Sequence, residues 1–207
     1  MKSLHHRDLI ILQLAIILRS LNASSYIVGG YVRDLLLGLP SKDIDIVTDA
    51  PYDAMATAFV EAGWNVKQTG KHYLVLNISK QGHHFELSNF RKDTDNNGGK
   101  LGTVTTDADR RDFTINALYM SLTDNTILDP TGKGKTDIQN HCLRFIDNPV
   151  SRIMEDPLRI YRFYRLLATK SLIPHSASLK AVRRYFKITT KVPSERIRSE
   201  IERIIKL

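Results

Sequence analysis

The chain has 207 residues, 42% of them hydrophobic and 25% charged, which is the composition of an ordinary globular protein of one domain or one domain with an appendage. A single cysteine, Cys142, excludes an internal disulfide and a thiolate zinc cluster, and fits a reducing, cytoplasmic setting. The formal net charge of +8 is uneven: residues 151–207 hold 14 Lys and Arg against 5 Asp and Glu, whereas residues 1–150 are near balance. A basic end of this kind suits a polyanionic partner, although a solvated helical surface reads the same way.

Residues 4–21 have helical periodicity. Their apolar run LIILQLAIIL is short for a membrane span and is interrupted by Gln13, so it reads as a core helix, and it is not followed by a signal-peptide cleavage site. SYIVGG reads as a strand ending in a glycine turn, and YVRDLLLG as a helix stopped by Gly38. DIDIV alternates with period two, placing Asp43 and Asp45 on one strand face and Ile44 and Ile46 on the other. PYDAMATAFVEAG reads as a helix, and HYLVLNIS and HHFELSNF as strands joined at Gln81-Gly82. The polar, glycine-containing stretch from Arg91 to Asp109 reads as a loop, and INALYMSL and TILD as strands or strand–helix junctions. From about Pro149 onward the pattern is helical, in segments of roughly 150–170, 176–187 and 193–207, with Pro174 and Pro193 as breaks. The layout is a mixed α/β domain followed by an all-helical basic segment.

Asp43 and Asp45, about 7 Å apart along a strand, can converge on a divalent cation. Carboxylate oxygens favour Mg²⁺ or Mn²⁺ over zinc. Glu86, between the apolar Phe85 and Leu87, is the best candidate for a third carboxylate on a neighbouring strand. Two metal ions held this way suit phosphoryl transfer. Gly29-Gly30 before a helix leaves backbone N–H groups for a phosphate, and Arg33 lies one turn further on. Asp156, Arg159, Arg162 and Arg165 step by three along a predicted helix, so adjacent members share neighbouring parts of one face.

IVGGYVRDLLLGLPSKDIDIV resembles the first motif of the class II tRNA nucleotidyltransferases (CCA-adding enzymes) and bacterial poly(A) polymerases, within the DNA polymerase beta superfamily. RRDFTINALYM, DPTGKGKTDIQNHCLRFI, EDPLRIYRFYR and PSERIRSEI resemble the next four motifs in order, so the resemblance covers nearly the whole chain from Tyr26. It implies an α+β fold, with a polymerase-beta-like head over residues 1–148 and an all-helical neck over 149–207, the body and tail being absent. It also implies template-independent addition of C and/or A to the tRNA 3′ end from CTP and ATP by two-metal chemistry, with two Mg²⁺ ions or Mn²⁺ in their place. In that scheme Asp43 and Asp45 bind metal and Glu86 is the third carboxylate. Gly30, Arg33 and Arg111 contact the triphosphate, Asp156 and Arg159 select the base, and Arg162 and Arg165 are further nucleotide-binding positions.

Two departures bear on that expectation. The chain stops just after the fifth motif, which fits a minimal enzyme, one half of a split pair whose body and tail come from a second chain, or a truncated RNA-binding remnant inactive alone. The segment between Arg91 and Arg110 is short where the family carries a loop associated with the switch from C to A addition, which raises CC-only addition as an alternative. Poly(A) addition is set lower, because QTGKHYLVLNIS lacks the basic Gly-Arg-Arg-Phe-type signature of that branch.

Overall fold

A computed structural model describes residues 6–41, 43–70, 74–92 and 100–205. By backbone contacts the chain forms two compact units, Met1–Arg110 with Leu118–Pro130, and Arg111–Ala117 with Thr131–Leu207. Residues 131–148 therefore group with the C-terminal helices.

The elements of the first unit are α1 (His6–Ser20), β1 (Ser25–Val28), α2 (Gly30–Leu36), β2 (Asp45–Thr48), α3 (Tyr52–Glu61), β3 (Asn65–Gly70), β4 (Val75–Lys80), β5 (His83–Asn89), β6 (Arg91–Lys92), β7 (Lys100–Leu101), α4 (Val104–Asp109), β8 (Tyr119–Ser121) and β9 (Ile127–Leu128). Among the described residues, seven of these strands form a mixed sheet in the order β3–β4–β5–β2–β1–β8–β9. Within it β2 runs parallel to β5 and antiparallel to β1. Parallel neighbours need a long crossover, and α3 with the β3–β4 hairpin supplies it. Asn89 locks this pairing by donating from its side-chain amide to the carbonyls of Thr48 (3.1 Å) and Ala50 (2.7 Å). The core beneath the sheet is built from Leu14, Leu18, Ile46, Met55, Phe59, Leu76 and Leu87, all fully buried.

The second unit comprises a 3₁₀ turn (Thr114–Asn116), α5 (Gly134–Gln139), β10 (Cys142–Leu143), α6 (Pro149–Glu155), α7 (Arg159–Lys170), β11 (Ile173–Pro174), α8 (Ser176–Tyr185), a 3₁₀ segment (Phe186–Lys191) and α9 (Ser194–Ile205). Phe113, Phe145 and Phe163 are completely buried and stack at its centre, with ring centroids 4.7 Å (113–145) and 5.7 Å (145–163) apart.

The fold is the expected α+β arrangement, with three local differences. The stretch read as a loop ends in a helix, α4, whose start is fixed by a capping box between Thr103 and Thr106. Residues 93–99, and with them part of the shortened segment, lie outside the described residues. Strand β3 has no counterpart in the sequence reading, because NVKQTG is too polar to show a strand pattern. The expected continuous helix over 150–170 is broken: α6 ends at Glu155, Asp156 takes extended angles (φ −145°, ψ 98°), and α7 starts at Arg159. Pro157 is the cause, since a proline disfavours helical angles in the residue before it. Asp156 therefore does not share a helix with Arg159, Arg162 and Arg165.

A polar chain crosses the second unit. Thr114 donates its hydroxyl to Asp137 Oδ2 (2.7 Å), Arg144 clasps the same carboxylate through Nε (2.9 Å) and Nη2 (3.1 Å), and Arg144 Nη1 meets His175 Nε2 at 2.8 Å. Arginine can only donate, so Nε2 accepts and His175 is held neutral. Desolvation and the adjacent Arg144 push its pKa below the usual 6.5, helped by Lys133 and opposed by Asp137. Below about pH 6.5 the unfolded chain takes up a proton that folded His175 resists, so stability falls as the pH drops through that range. The denaturant midpoint of the wild type is expected to drop more between pH 7.5 and 5.5 than that of His175→Gln, which keeps an acceptor without titrating. Equal drops would remove His175 as the cause.

Candidate active site

In the first unit, Asp45 of β2 pairs in register with Glu86 of β5, and Glu86 pairs in turn with Asn77 of β4. Asp43 precedes β2. Asp43, Asp45 and Glu86 are exposed while Ile44 and Ile46 are buried, as the alternation of DIDIV requires. All three carboxylates line one cleft of about 590 Å³, together with Lys67, Asn77 and His84. The sequence reading missed these last three; Asn77 was findable from the period-two pattern of its strand, whereas Lys67 sits on the unrecognised β3.

The donor set is all oxygen and anionic, which fits a hard divalent cation. Among the described residues, no group of three or more His, Cys, Asp or Glu side chains forms a ready-made metal cage. Mg²⁺ in phosphoryl-transfer sites is commonly held by one or two carboxylates, with waters and substrate phosphates completing its shell, so Asp43 and Asp45 suffice as protein ligands.

The glycine turn is positioned by β1, which delivers the chain to α2. Gly29 caps α2 with φ 72° and ψ −132°, angles open only to glycine, and no side chain caps the helix. The first-turn N–H groups thus lack intrahelical acceptors. Gly30 is less constrained: a methyl group there would make only ordinary contact, 3.5 Å from Arg33 Nη2. Arg33 itself is buried and ion-paired to its neighbour Asp34 at 2.8 Å. Its guanidinium lies over Gly30 rather than extending into solvent.

In the second unit, every charged residue of the fourth motif has a carboxylate or guanidinium partner. Arg159 Nη1 donates to Glu155 (2.7 Å) and to the carbonyl of Arg152 (2.8 Å). Asp156 is met by Arg196 of α9 at 3.0 Å and accepts from the Leu158 N–H. Arg162 lies 3.0 Å from Oδ2 of the buried Asp112. That oxygen lacks a well-directed hydrogen bond, so the contact is ionic more than directional. Burial pushes the Asp112 carboxyl up, but Arg162, the Asn116 amide, the Phe113 N–H and Arg159 outweigh it and hold the group below the ordinary carboxylate value. Arg165 is bound to Glu200 of α9 at 2.6 Å in a largely buried pair. Arg111 is half-buried, with Nη1 3.5 Å from the Asn116 carbonyl. The partners Glu155, Asp112 and Arg196 were not singled out from the sequence. Glu155 was legible as Glu–x₃–Arg helix spacing, whereas Asp112–Arg162 and Asp156–Arg196 join residues far apart in the chain.

The fold and its carboxylate cleft define a nucleotidyltransferase-type head. A crystal structure of the Bacillus stearothermophilus CCA-adding enzyme in complex with CTP matches 99% of the chain with a TM-score of 0.85 at 28% identity, the match covering 49% of that protein. Residues 25–144 match the poly A polymerase head domain, and the chain belongs to that family. Poly(A) polymerase I of Salmonella typhimurium is 34% identical over 194 residues, 85% of this chain and 40% of that protein. The CC-adding tRNA nucleotidyltransferase of Halalkalibacterium halodurans is 32% identical over 188 residues, 91% of this chain and 46% of that protein. The chain thus spans less than half the length of these curated relatives, and the two branches match it at nearly equal identity.

The burial of Arg165 sets its expected behaviour apart from that of a nucleotide contact. Arg165→Ala leaves Glu200 buried without its cation and should cost about 3–5 kcal/mol of stability. Replacing both partners by apolar residues should restore most of that loss. Chemical denaturation measures it, and an Arg165→Ala protein as stable as wild type would assign the residue to ligand contact instead.

Proposed function

We propose that the chain is the head and neck of a template-independent RNA nucleotidyltransferase that adds C, or C and A, to the 3′ end of tRNA from CTP and ATP. The observation that carries this reading is the register of β2 against β5, which puts Asp45 and Glu86 side by side in the cleft that Asp43 also lines. Bound there, Mg²⁺ or Mn²⁺ would lower the pKa of the attacking 3′-hydroxyl and neutralise charge developing on the phosphates. Asp43 and Asp45 would be its protein ligands, with Glu86 as third carboxylate.

The remaining roles fall to residues of the chain itself. The uncapped first turn of α2, opened by Gly29 and Gly30, offers N–H donors to phosphate oxygens. Arg33, screened by Asp34, orients that turn and adds positive potential. Arg111 is a further donor to the triphosphate. Asp156 and Arg159 read the base edge. Arg196 and the Leu158 N–H hold Asp156, and Glu155 and the Arg152 carbonyl hold Arg159. Asp156 is not saturated by these partners, because a carboxylate accepts about four hydrogen bonds. A pair held on both sides discriminates by leaving a mismatched base with unpaired polar groups. Arg162, anchored to Asp112, and Arg165 support this reading region.

Poly(A) addition is the second reading, supported by the match to poly(A) polymerase I. Among the described residues, no helix is long and apolar enough to cross a membrane.

Labelled CTP and ATP offered with a tRNA lacking its 3′ end test the proposal. Incorporation of C, alone or followed by A, is expected, with Asp45→Ala folded and inactive. Processive A addition alone would select the poly(A) reading. Full turnover by Asp45→Ala would contradict the carboxylate assignment.

A further inference from the structure

Between Pro157 and Ser194 the sequence contains no Asp or Glu but nine Lys and Arg. Three of these, Arg159, Arg162 and Arg165, are neutralised by Glu155, Asp112 and Glu200, which lie outside that stretch. Lys180, Arg183, Arg184 and Lys187 are different. All four are exposed, and they carry no ion pair among the described residues. Their spacing of three and four puts them on one face of α8 and its continuation. The first three line a shallow depression of about 510 Å³ with Ser176 and Leu179. Like charges gathered without counter-ions repel one another, so this stripe costs stability unless an anion covers it.

Beside the stripe the chain exposes aromatic rings. Phe186, directly before Lys187, is 44% exposed, and Tyr164 of α7 is 37% exposed. Phe186 packs edge-to-face on Tyr164 at 6.5 Å and tilted against Tyr161 at 6.2 Å, and the ring surface it still exposes is available to another partner. Arg184 already lies over the Tyr185 ring at 5.6 Å. Cations that track phosphates next to open aromatic faces are the two elements of single-strand nucleic-acid binding. A membrane surface fits less well, because α8 exposes no large aliphatic side chain to insert among lipids.

We infer that α8 and the segment after it form a binding surface for single-stranded RNA, with Lys180, Arg183, Arg184 and Lys187 on successive phosphates and Phe186, supported by Tyr164, stacking an unpaired base. This deepens the proposed function and rests on it, since it assigns the neck a hold on unpaired nucleotides separate from the residues that read the incoming base.

The test is fluorescence anisotropy of the full chain with a labelled 12-nucleotide single-stranded RNA, the same RNA annealed to its complement, and phosphatidylserine vesicles. The single strand is expected to bind best. The triple substitution K180A/R183A/R184A should weaken binding and lower the slope of log affinity against log salt by about 2, at about 0.7 per lost phosphate contact. Phe186→Ala should weaken binding about tenfold with the salt slope unchanged, as loss of one stacked base predicts. Phe186→Tyr should keep wild-type affinity, and circular dichroism checks that each variant is folded. Equal binding by wild type and variants, failure of the wild type to bind single-stranded RNA, or a preference for the vesicles would each overturn the surface. CTP incorporation measured on the tRNA lacking its 3′ end separates the two claims. Incorporation with binding indifferent to these substitutions sinks the surface alone. Binding that depends on them, without incorporation, sinks the enzymatic reading and leaves the surface standing.

Discussion

The parallel pairing of β2 with β5 is the constraint on which the first unit depends. A one-residue slip would send Asp45 and Glu86 to opposite faces and bury one of them among Ile46 and Leu87. The register is fixed twice over. The aliphatic side chains of the two strands are buried beneath the sheet, and Asn89 bonds to the Thr48 and Ala50 carbonyls at the far end of the pair. Antiparallel β1 then brings the glycine turn to the same end of β2 as Asp45, through the pairing of Val28 with Asp45. The glycine turn and the cleft carboxylates thereby lie on two adjacent strands.

The second unit solves a different problem. It is strongly basic, and the three arginines of α7 are held in place by single carboxylates drawn from several elements: Asp112 from the segment before the 3₁₀ turn, Glu155 from α6 and Glu200 from α9. Removing any one carboxylate would release an arginine that helps to fix α7. Pro157 adds a backbone device. It ends α6 at Glu155, and beyond the break the Asp156 side chain accepts from the Leu158 N–H while its carbonyl accepts from the Arg159 N–H, starting α7. Asp156 is consequently set by a turn and by Arg196 of α9, and Arg159 by Glu155 and the Arg152 carbonyl of α6, which differs from the continuous helix that their spacing suggests.

Much of this was legible in the sequence. The alternation in DIDIV gave the faces of Asp43 and Asp45 correctly, and the Gln81-Gly82 turn placed β4 and β5. Glu86 was singled out from its apolar neighbours, and its pairing with Asp45 follows the same logic. Strand β3 escaped because its polar residues border the cleft rather than a core. Helix α4 escaped because threonines and aspartates favour turns, and its capping box is Thr–x–x–Thr rather than the commoner Thr–x–x–Glu. The helix break at Pro157 was readable from local rules and was outweighed by the attraction of a three-residue period. The burial of Arg33 and Arg165 could not be read at all: an arginine on a helix looks the same in sequence whether it faces a phosphate or a buried carboxylate.

The central claim is that the cleft between β2 and β5 holds the metal-bound triphosphate. Electron paramagnetic resonance of Mn²⁺ titrated into the protein with CTP, against CTP alone, tests it most directly. The account predicts protein-dependent Mn²⁺ uptake that Asp45→Asn abolishes while circular dichroism and thermal stability stay unchanged. Uptake of equal strength by a folded Asp45→Asn protein would contradict it.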